Sequence, residues 1–346
     1  PSSLWSVNVA FNPANTNFVG EGYGSYYLAA NSPLHHAGTA VISSRLQGEL
    51  KNKTTYAPLS IAAFTQISGN LTLSPQAGRY AGGSPDLGYY YDALDYSVAE
   101  LTLAGGTLTV LPGTAVAVRN QYGFFIQSDL NLYYWTYYTV EGIVAEEGSS
   151  VVSHGTPVRP NIFTAEKMVQ EFPETDFSEF QLFNTVMGGL VIWYDAISFV
   201  SDCESYAYNN SIPAPNFDFR FSKFYLPPND YHLSAGCDEV TGALYVSPDS
   251  SMYLNVRDCQ FFGGRINVGR PSDEGQVYSP GQVSLFNNLF ANVGISLAPT
   301  CYYFSLYEGY PVVNCDMQIL AYNNLFKDGS CLQLLSSPTS AGNWIF

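Results

Sequence analysis

Two stretches near the C-terminal end carry the same pattern of apolar and polar residues. Val283–Phe290 and Gln318–Phe326 both alternate apolar positions and then present an aromatic residue followed by Asn-Asn-Leu-Phe. The aromatic positions, Phe286 and Tyr322, are 36 residues apart, and Tyr253–Phe261 is a weaker copy 29 residues earlier. Repeats of this length, without amphipathic helices between them, are typical of short β-strands that stack in successive turns of the chain.

The segment 101–165 carries the clearest series of short β segments, each of which ends at Gly or Pro-Gly. They are Leu101–Leu103, Gly106–Gly113, Thr114–Val118, Phe125–Ile126 and Val151–Pro157. Short β-branched strands separated by one or two turn residues suit a coil with three flat faces, because each corner needs a residue free of the usual dihedral limits. The pattern predicts about eight coils over residues 100–335, at roughly 30 residues a coil.

The Asn pairs are predicted to form corners of this coil. Asn tolerates the left-handed backbone conformation, and its side chain can hydrogen-bond its own backbone or the Asn one coil along. We therefore expect a structural ladder made of Asn287, Asn288, Asn323 and Asn324. Asn288 and Asn324 should stack in line, with the following Leu and Phe pointing into the stack. The alternative is an isolated hairpin turn in an ordinary sandwich, which a single copy would favour.

An aromatic run, Asn131–Tyr138, has no helical period. As a strand it would put Tyr133, Trp135 and Tyr137 on one face. Because aromatic hydroxyls in a dry core would lack partners, we expect one face of this strand to bind solvent, sugar or another subunit. The alternative is that these aromatic side chains fill the interior of a wide coil.

Two local signals lie outside the repeat pattern. Thr164–Glu171 predicts a helix, because Thr164 permits an N-cap and Pro173 stops the helix. The adjacent His35 and His36 could suggest a metal pair, but neighbours on a strand point to opposite faces, so a solvated loop is expected.

Short motifs resemble those of a known superfamily. Gly82–Asp92 resembles the Pro-Asp-Ile-Gly-Ala-Tyr-Glu type of segment that closes a β-helical repeat in many secreted bacterial proteins; the matching residues are Pro85, Asp86, Leu87, Gly88 and Tyr90. Tyr89 replaces the small residue of that pattern. The Leu-Pro-Gly-Thr and Ser-His-Gly-Thr-Pro turns are similar to those of right-handed parallel β-helix proteins, the superfamily that includes pectate lyases and phage tailspikes. This resemblance spans roughly residues 100–335 and concerns the fold.

The resemblance implies an all-β chain that forms a right-handed parallel β-helix. Residues 1–95 are predicted to be an irregular, β-rich N-terminal segment, which could be the end of a preceding coil stack. Residues 96–346 are predicted to form the β-helix, with loop excursions near 200–240 and 299–316.

The composition argues against nucleic acids and anionic membranes as partners. With 13 Lys and Arg against 29 Asp and Glu, the net charge is −16, whereas nucleic acids and anionic membranes require a basic face. No apolar run approaches the roughly 18 residues of a membrane span. Charged residues are only 12% of the chain, so we expect the 27 Tyr and 22 Phe to cover part of the surface.

All six cysteines lie in the second half of the chain and form no C-x-x-C pair, so a zinc ribbon or a thioredoxin-type site has no support. A secreted protein would use some of the fifteen possible pairings. Cys301 with Cys315 is the best candidate disulfide, since it would close a loop between the two Asn-Asn coils. The alternative is a set of buried free thiols.

Candidate catalytic residues are few. A lyase of this fold would need several Asp or Glu ligands for calcium and an Arg or Lys base, and a hydrolase would need two carboxylates. The weak candidates are Asp238, Glu239, Arg257 and Asp258. A solvated turn is the ordinary interpretation of the Asp-Glu pair. No metal ligands and no cofactor are assigned, although calcium would accompany a lyase activity.

These features favour an extracellular or cell-surface structural or adhesive protein. Low charge, abundant Tyr and the missing catalytic signature fit a chain that packs against copies of itself or against other surface proteins, since a stacked coil has open ends and long flanks. The alternative functions on the same fold are a polysaccharide lyase, a glycoside hydrolase or a glycan-binding module.

Overall fold

The structure is a computed structural model that describes residues 16–62, 65–118, 121–129, 132–140, 142–145, 148–170, 190–193, 216–226, 231–236, 253–268, 282–297, 318–334 and 344–345. Most strands in these ranges belong to three long parallel sheets of eight strands each. A small N-terminal unit and one antiparallel hairpin add to them. The chain is thus all-β with long parallel sheets.

Three sheets contain the parallel strands. Sheet I contains Leu59–Ile61, Tyr96–Val98, Ala115–Val118, Asn161–Ala165, Ser222–Tyr225, Gln260–Phe262, Leu289–Ala291 and Leu325–Lys327. Sheet II contains Thr65–Ile67, Glu100–Leu103, Gly142–Ala145, Leu190–Trp193, Tyr231–Gly236, Arg265–Val268, Gly294–Leu297 and Cys331–Leu334. Sheet III contains Leu71–Leu73, Thr107–Val110, Ser150–His154, Asn216–Arg220, Tyr253–Arg257, Gln282–Phe286, Gln318–Tyr322 and Trp344–Ile345.

The chain visits the three sheets in rotation. It passes through sheets I, II and III and then starts again, so that each strand pairs in parallel with the strand one circuit away. The predicted equivalence of the repeats is confirmed: Arg257, Phe286 and Tyr322 occupy one register position in adjacent strands. The rings of Phe286 and Tyr322 stack with centroids 5.4 Å apart and planes 4° apart.

The predicted number of coils over 100–335 is too high. Six of the eight described strands of sheet III lie in that range, because many circuits exceed 30 residues. The aligned residues Leu108, Val151 and Phe217 are 43 and 66 residues apart. One cause is a hairpin of Gln121–Asp129 and Leu132–Val140, which is inserted between two strands of the circuit. The predicted short strand at 125–126 belongs to this hairpin.

The sheets extend beyond the segments assigned to them from the sequence. Their first strands, at 59–73, lie within the segment 1–95. Asn216–Arg220, Ser222–Tyr225 and Tyr231–Gly236 are regular sheet strands within the region 200–240. The other parts of this region, 200–215, 227–230 and 237–240, around which loop excursions were expected, lie outside the described residues. The second expected excursion, 299–316, lies outside the described residues.

One continuous apolar core fills the space between the sheets. Alternate residues of each strand point inward, so the register lines up like side chains along the stack. In sheet III, Val151, Phe217, Leu254 and Val283 form one such row, and each is at most 2% exposed. The core therefore follows directly from the alternation that identified the strands in the sequence.

A small unit precedes the sheets. It contains an antiparallel pair, Phe18–Glu21 and Gly24–Leu28, and a seven-residue helix, Ser44–Leu50. The hydroxyl of Ser43 caps this helix by accepting a hydrogen bond from Leu46 N. A second antiparallel pair joins Lys53–Thr54 to Tyr91–Asp92 and ties the unit to the chain just before sheet I resumes.

The predicted helix over 164–171 is wrong. The strand Asn161–Ala165 continues through its first two residues, and a 3-10 turn follows at Glu166–Met168. Asn161–Ala165 pairs in parallel on both sides, with Ala115–Val118 and Ser222–Tyr225. These ladder hydrogen bonds and the burial of the strand outweigh the local capping signal.

Candidate functional site

The corner between sheets III and I is the most regular polar feature of the described chain. Its first residue has a left-handed backbone in four successive circuits: Phe221, Asp258, Asn287 and Asn323, with φ between 46° and 57°. The N–H groups at this position continue the parallel ladder, as in Asn287 N to Tyr322 O at 3.0 Å. Asp and Asn suit the position because they tolerate positive φ better than other non-glycine residues.

The second corner residue points inward and forms a hydrogen-bonded row. Asn288 Nδ2 donates to Asn324 Oδ1 at 3.0 Å and to Val256 O at 2.9 Å. Asn288 Oδ1 accepts from Cys259 N at 2.9 Å, so the side chain links three circuits. Asn288 is 2% exposed. The structure thus brings the two inner asparagines of the ladder together.

The outer members of the ladder lie apart from this row. Asn287 and Asn323 are exposed, and Asn287 Nδ2 donates to Asp258 Oδ1 at 3.2 Å. Leu325, which was expected to point into the stack, is 61% exposed, whereas Phe290 is fully buried. Strand alternation explains the difference, since Leu and Phe are consecutive and must face opposite sides.

Replacing Asn288 with Ala is expected to lower the free energy of unfolding by about 2 kcal/mol or more, because Cys259 N–H would be buried without its acceptor and Val256 O would lose the Asn288 amide. Denaturant unfolding followed by circular dichroism measures this loss. Gln260→Ala is the matched control, since the Gln260 side chain makes no hydrogen bond among the described residues; its cost should stay within about 0.5 kcal/mol. Equal costs would contradict the structural role of the inner row.

Cys259 continues the inner row as a thiol. It is free and 1% exposed, and Sγ contacts Arg257 O at 3.2 Å. Burial raises the pKa of this thiol to about 12, so it stays protonated and unreactive at neutral pH. It matches the buried free thiol considered as the alternative to disulfides. The predicted pair Cys301 and Cys315 lies outside the described residues.

A shallow open groove of about 420 Å³ runs over the outer side of this corner. Its lining includes Asp258, Gln260, Asn287, Leu289, Asn323 and Leu325. The groove therefore crosses three circuits, with carboxylate and amide groups at the corner and apolar side chains on sheet I.

A polar cluster lies on the outer face of sheet III. His154 Nε2 contacts Asp218 Oδ2 at 2.7 Å, and Arg220 Nη2 contacts the same oxygen at 3.0 Å. Asn255 Nδ2 donates to Asp218 Oδ1 at 2.7 Å. His154, Asp218, Arg220 and Asn255, here called the flank cluster, come from three neighbouring strands.

Asp218 is the electrostatic centre of the flank cluster. Burial alone would raise the pKa of its carboxyl group, but the hydrogen bonds from Arg220 and His154 outweigh burial, so the pKa lies below its ordinary value. A carboxylate held ionised by two basic neighbours can orient them or accept hydroxyl groups. It is poorly suited to act as a general acid near neutral pH.

No sequence motif marks the flank cluster. Asp218 and Arg220 are the polar positions within the alternating Phe217, Phe219 and Phe221 pattern, and His154 ends the aligned strand. Polar residues at the same strand position in successive circuits are the signal that could have identified the cluster. Using that signal requires the register across a 66-residue circuit.

The predicted catalytic residues are only partly described. Arg257 Nε lies 3.3 Å from Asp258 Oδ2, and Arg257 aligns with Arg220 on the outer face of sheet III. The pair therefore sits where the flank cluster meets the groove. Asp238 and Glu239 lie outside the described residues.

The predicted aromatic binding strand is part of the inserted hairpin. Tyr133, Trp135 and Tyr137 are in register with Ser128, Ile126 and Phe124, respectively. This strand pairs only within the hairpin, among the strands that the structure describes. Binding by its aromatic face stays a prediction.

Asp86 organises a second polar cluster in the N-terminal unit. Its carboxylate, 8% exposed, accepts hydrogen bonds from Thr55 Oγ1, His36 N and the His35 ring. Burial raises the pKa of Asp86, but these hydrogen bonds outweigh burial and leave the pKa below its ordinary value. His35 is only 13% exposed and stacks on Tyr56, so the expected solvated loop is wrong for this residue.

Backbone hydrogen bonds hold the Pro-Asp-Leu-Gly segment, residues 85–88, on both sides of Asp86. Gly38 N donates to Pro85 O and Leu87 N to Leu34 O, while Tyr90 Oη accepts from Asp86 N. The segment therefore binds the loop 29–38 to the rest of the unit, and its role is structural.

The described residues hold no group of three or more His, Cys, Asp or Glu side chains placed to bind a metal ion. None of the helices in the described ranges is long and apolar enough to cross a membrane.

Comparison of the chain with protein-family models, curated proteins and solved structures gives no match.

Proposed function

We propose that this chain is a right-handed parallel β-helix of an extracellular or cell-surface protein with a structural or adhesive role, and that it assembles end to end with copies of itself or with other surface proteins. The rotation of the chain through three parallel sheets supports the fold. The left-handed Asp and Asn corners and the stacked rows of like residues support it further. The resemblance of the Gly and Pro turns to those of this superfamily agrees with these features.

The proposed assembly rests on the strand edges at the two ends of the three sheets, where apolar side chains are exposed. Leu59–Ile61, Thr65–Ile67 and Leu71–Leu73 each have a sheet neighbour on one side only within the described residues. Leu59 is 53% exposed at this end, and Phe326, which continues the inward row of Phe290 in the last described strand of sheet I, is 37% exposed. Strand edges that carry exposed apolar side chains are surfaces on which further strands pair.

The charged residues of sheet III support a structural role over catalysis. Asp218 is held by His154 and Arg220, and Arg257 pairs with Asp258. These contacts pair opposite charges, so the flank formed by these residues is nearly neutral. Such a flank suits close packing in a layer or fibre, where isolated charges would have to be desolvated.

Sedimentation velocity over a range of protein concentrations tests the assembly. The chain is expected to form larger species as concentration rises, and Leu59→Lys should weaken this association at least about tenfold, because it places a charge on the exposed strand edge. Electron microscopy of the largest species should show rods that grow along the stack.

Val158→Lys is the matched control. Val158 is 88% exposed in the turn between two strands, away from the sheet ends, so its replacement should leave association unchanged. A chain that stays monomeric at every concentration would refute end-to-end assembly of copies of this chain, as would equal effects of the two lysine variants.

A further inference from the structure

The hairpin of Gln121–Asp129 and Leu132–Val140 stands apart from the three parallel sheets. The chain enters it after Ala115–Val118 of sheet I and returns to Gly142–Ala145 of sheet II. Both of these sheet strands have neighbours on either side, so the hairpin starts from the side of the stack and not from one of its ends. Neither hairpin strand packs extensively against another strand or helix of the described chain. The hairpin is therefore an arm on the side of the stack.

Each strand of the hairpin has one free edge. The two strands form a sheet of their own, so about half of the backbone N–H and C=O groups of each strand have no ladder partner among the described strands. A two-stranded hairpin is at best marginally stable in water, and a third strand is what stabilises it. At nine residues these edges are long, whereas the other unpaired edges of the described chain have five residues at most.

The edge of Leu132–Val140 has none of the features that prevent strand pairing. Natural edge strands are commonly protected by a charged residue, a proline or a bulge. The nine residues of this strand contain no charged residue, no Gly and no Pro, and eight of them are aromatic or β-branched. They pair with Gln121–Asp129 without a bulge. The partner strand contains Gly123 and ends at Asp129, so Leu132–Val140 is the edge better suited to accept a further strand.

Charge and symmetry favour a second copy of this chain as the source of that strand. With a net charge of −16, two copies repel each other wherever acidic residues meet. A contact between copies therefore needs an uncharged surface, and Leu132–Val140 provides one. Antiparallel pairing of two identical edges is self-complementary, because a twofold axis brings the same residues together on both sides.

We propose that Leu132–Val140 pairs antiparallel with the same strand of a second copy, so that two hairpins form one four-stranded sheet. Full overlap of the nine residues gives the most ladder hydrogen bonds and places Thr136 on the twofold axis. Trp135 then lies opposite Tyr137 of the partner subunit, and such aromatic pairs stabilise neighbouring strands. The contact joins the sides of two stacks and does not rest on the proposed end-to-end assembly.

Sedimentation velocity in a Leu59→Lys background tests the pairing, because this substitution is expected to weaken end-to-end association. A dimer should form at or below about 100 µM. It should not grow as the concentration rises, since twofold pairing uses the free edge of both copies. A chain that is monomeric in this background would overturn the proposal. Wild-type protein that forms this dimer and nothing larger would support the pairing and refute end-to-end assembly.

Opposite charges at Thr136 locate the contact in the same background. Thr136→Lys and Thr136→Glu each place like charges opposite each other on the axis, so each should weaken dimerisation at least about tenfold. An equimolar mixture of the two variants should restore the dimer, because opposite charges then meet. Gln127→Lys, on the other strand of the hairpin, is the matched control and should leave dimerisation unchanged. Dimers of both Thr136 variants as tight as those of the control would overturn the pairing.

Hydrogen exchange checks the same contact without a change in the hairpin. In the Leu59→Lys background, backbone amides of Leu132–Val140 should exchange at least about tenfold more slowly at a concentration that gives dimers than at high dilution. Equal exchange rates at the two concentrations would overturn the proposal, as would folded Thr136 variants whose mixture stays monomeric.

Discussion

Phe261→Ala is expected to lower the free energy of unfolding by about 3–5 kcal/mol. Phe261 is 2% exposed and lies between Phe224 and Phe290 in the row of aromatic rings on the inner face of sheet I. Its ring is 4.3 Å from that of Phe224, with planes 1° apart, and 5.2 Å from that of Phe290. The substitution removes a buried ring and leaves a cavity that the rigid strands cannot close.

The neighbouring residue provides the control for this substitution. Phe262 is half-buried on the opposite side of the same strand and stacks on Tyr225 at 4.9 Å. Phe262→Ala should cost about 1 kcal/mol, because most of the space it leaves is open to water. Guanidinium unfolding followed by circular dichroism measures both variants. A cost for Phe261→Ala no larger than that for Phe262→Ala would show that this row does not stabilise the core as we infer.

The chain is expected to lose about 2 kcal/mol of stability between pH 7.5 and pH 5 because of His232. Burial lowers the pKa of this ring to about 4, from 6.5 in the unfolded chain. Nε2 donates to Gly263 O at 2.7 Å, whereas Nδ1 has no partner among the described residues, and the ring lies edge to face against Phe224 and Phe261. A proton on Nδ1 would therefore be buried without an acceptor in the described part of the chain.

The sign of this effect follows from the two pKa values. Because the folded pKa is below the unfolded pKa, the unfolded chain binds more protons between pH 6.5 and pH 4. The stability is therefore fully present above pH 6.5, falls as the pH drops through this window, and has lost about 3 kcal/mol below pH 4.

Urea unfolding at pH 7.5 and at pH 5 measures the loss, and two variants assign it. His232→Gln keeps a donor for Gly263 O but does not titrate, so its stability should change at least about 2 kcal/mol less than that of the wild type. His36→Gln, at a histidine whose side chain is 76% exposed, should behave like the wild type. If His232→Gln loses as much stability as the wild type, His232 is not the responsible group.

The corner residues show what local sequence can predict. A left-handed corner is a requirement on one residue and its neighbours, so the Asn pairs at Asn287 and Asn323 marked it directly. The alternation of apolar residues likewise predicted the inward row of Val283 and Leu285, because each strand buries one face. The equivalence of Phe286 with Tyr322 needed only the repeated motif.

The helix expected at Thr164 shows the limit of local signals. A capping residue and a following Pro describe what an isolated segment prefers. Asn161–Ala165 is instead paired on both sides, and these contacts decide its conformation. The same limit applies to His35, whose burial depends on Asp86, 51 residues away.

The amino-acid sequence alone determined that the chain is built from short alternating strands, that they turn at Gly, Asn and Asp, and that equivalent positions recur near the C-terminal end. Each of these features is set within a few residues. Only the tertiary structure decided that His154, Asp218 and Asn255 meet on one flank, and that Asp258, Asn287 and Asn323 line one groove. The physical reason is register: circuits of 20 to 66 residues align one strand with the next, and their lengths depend on insertions that strand periodicity does not reveal.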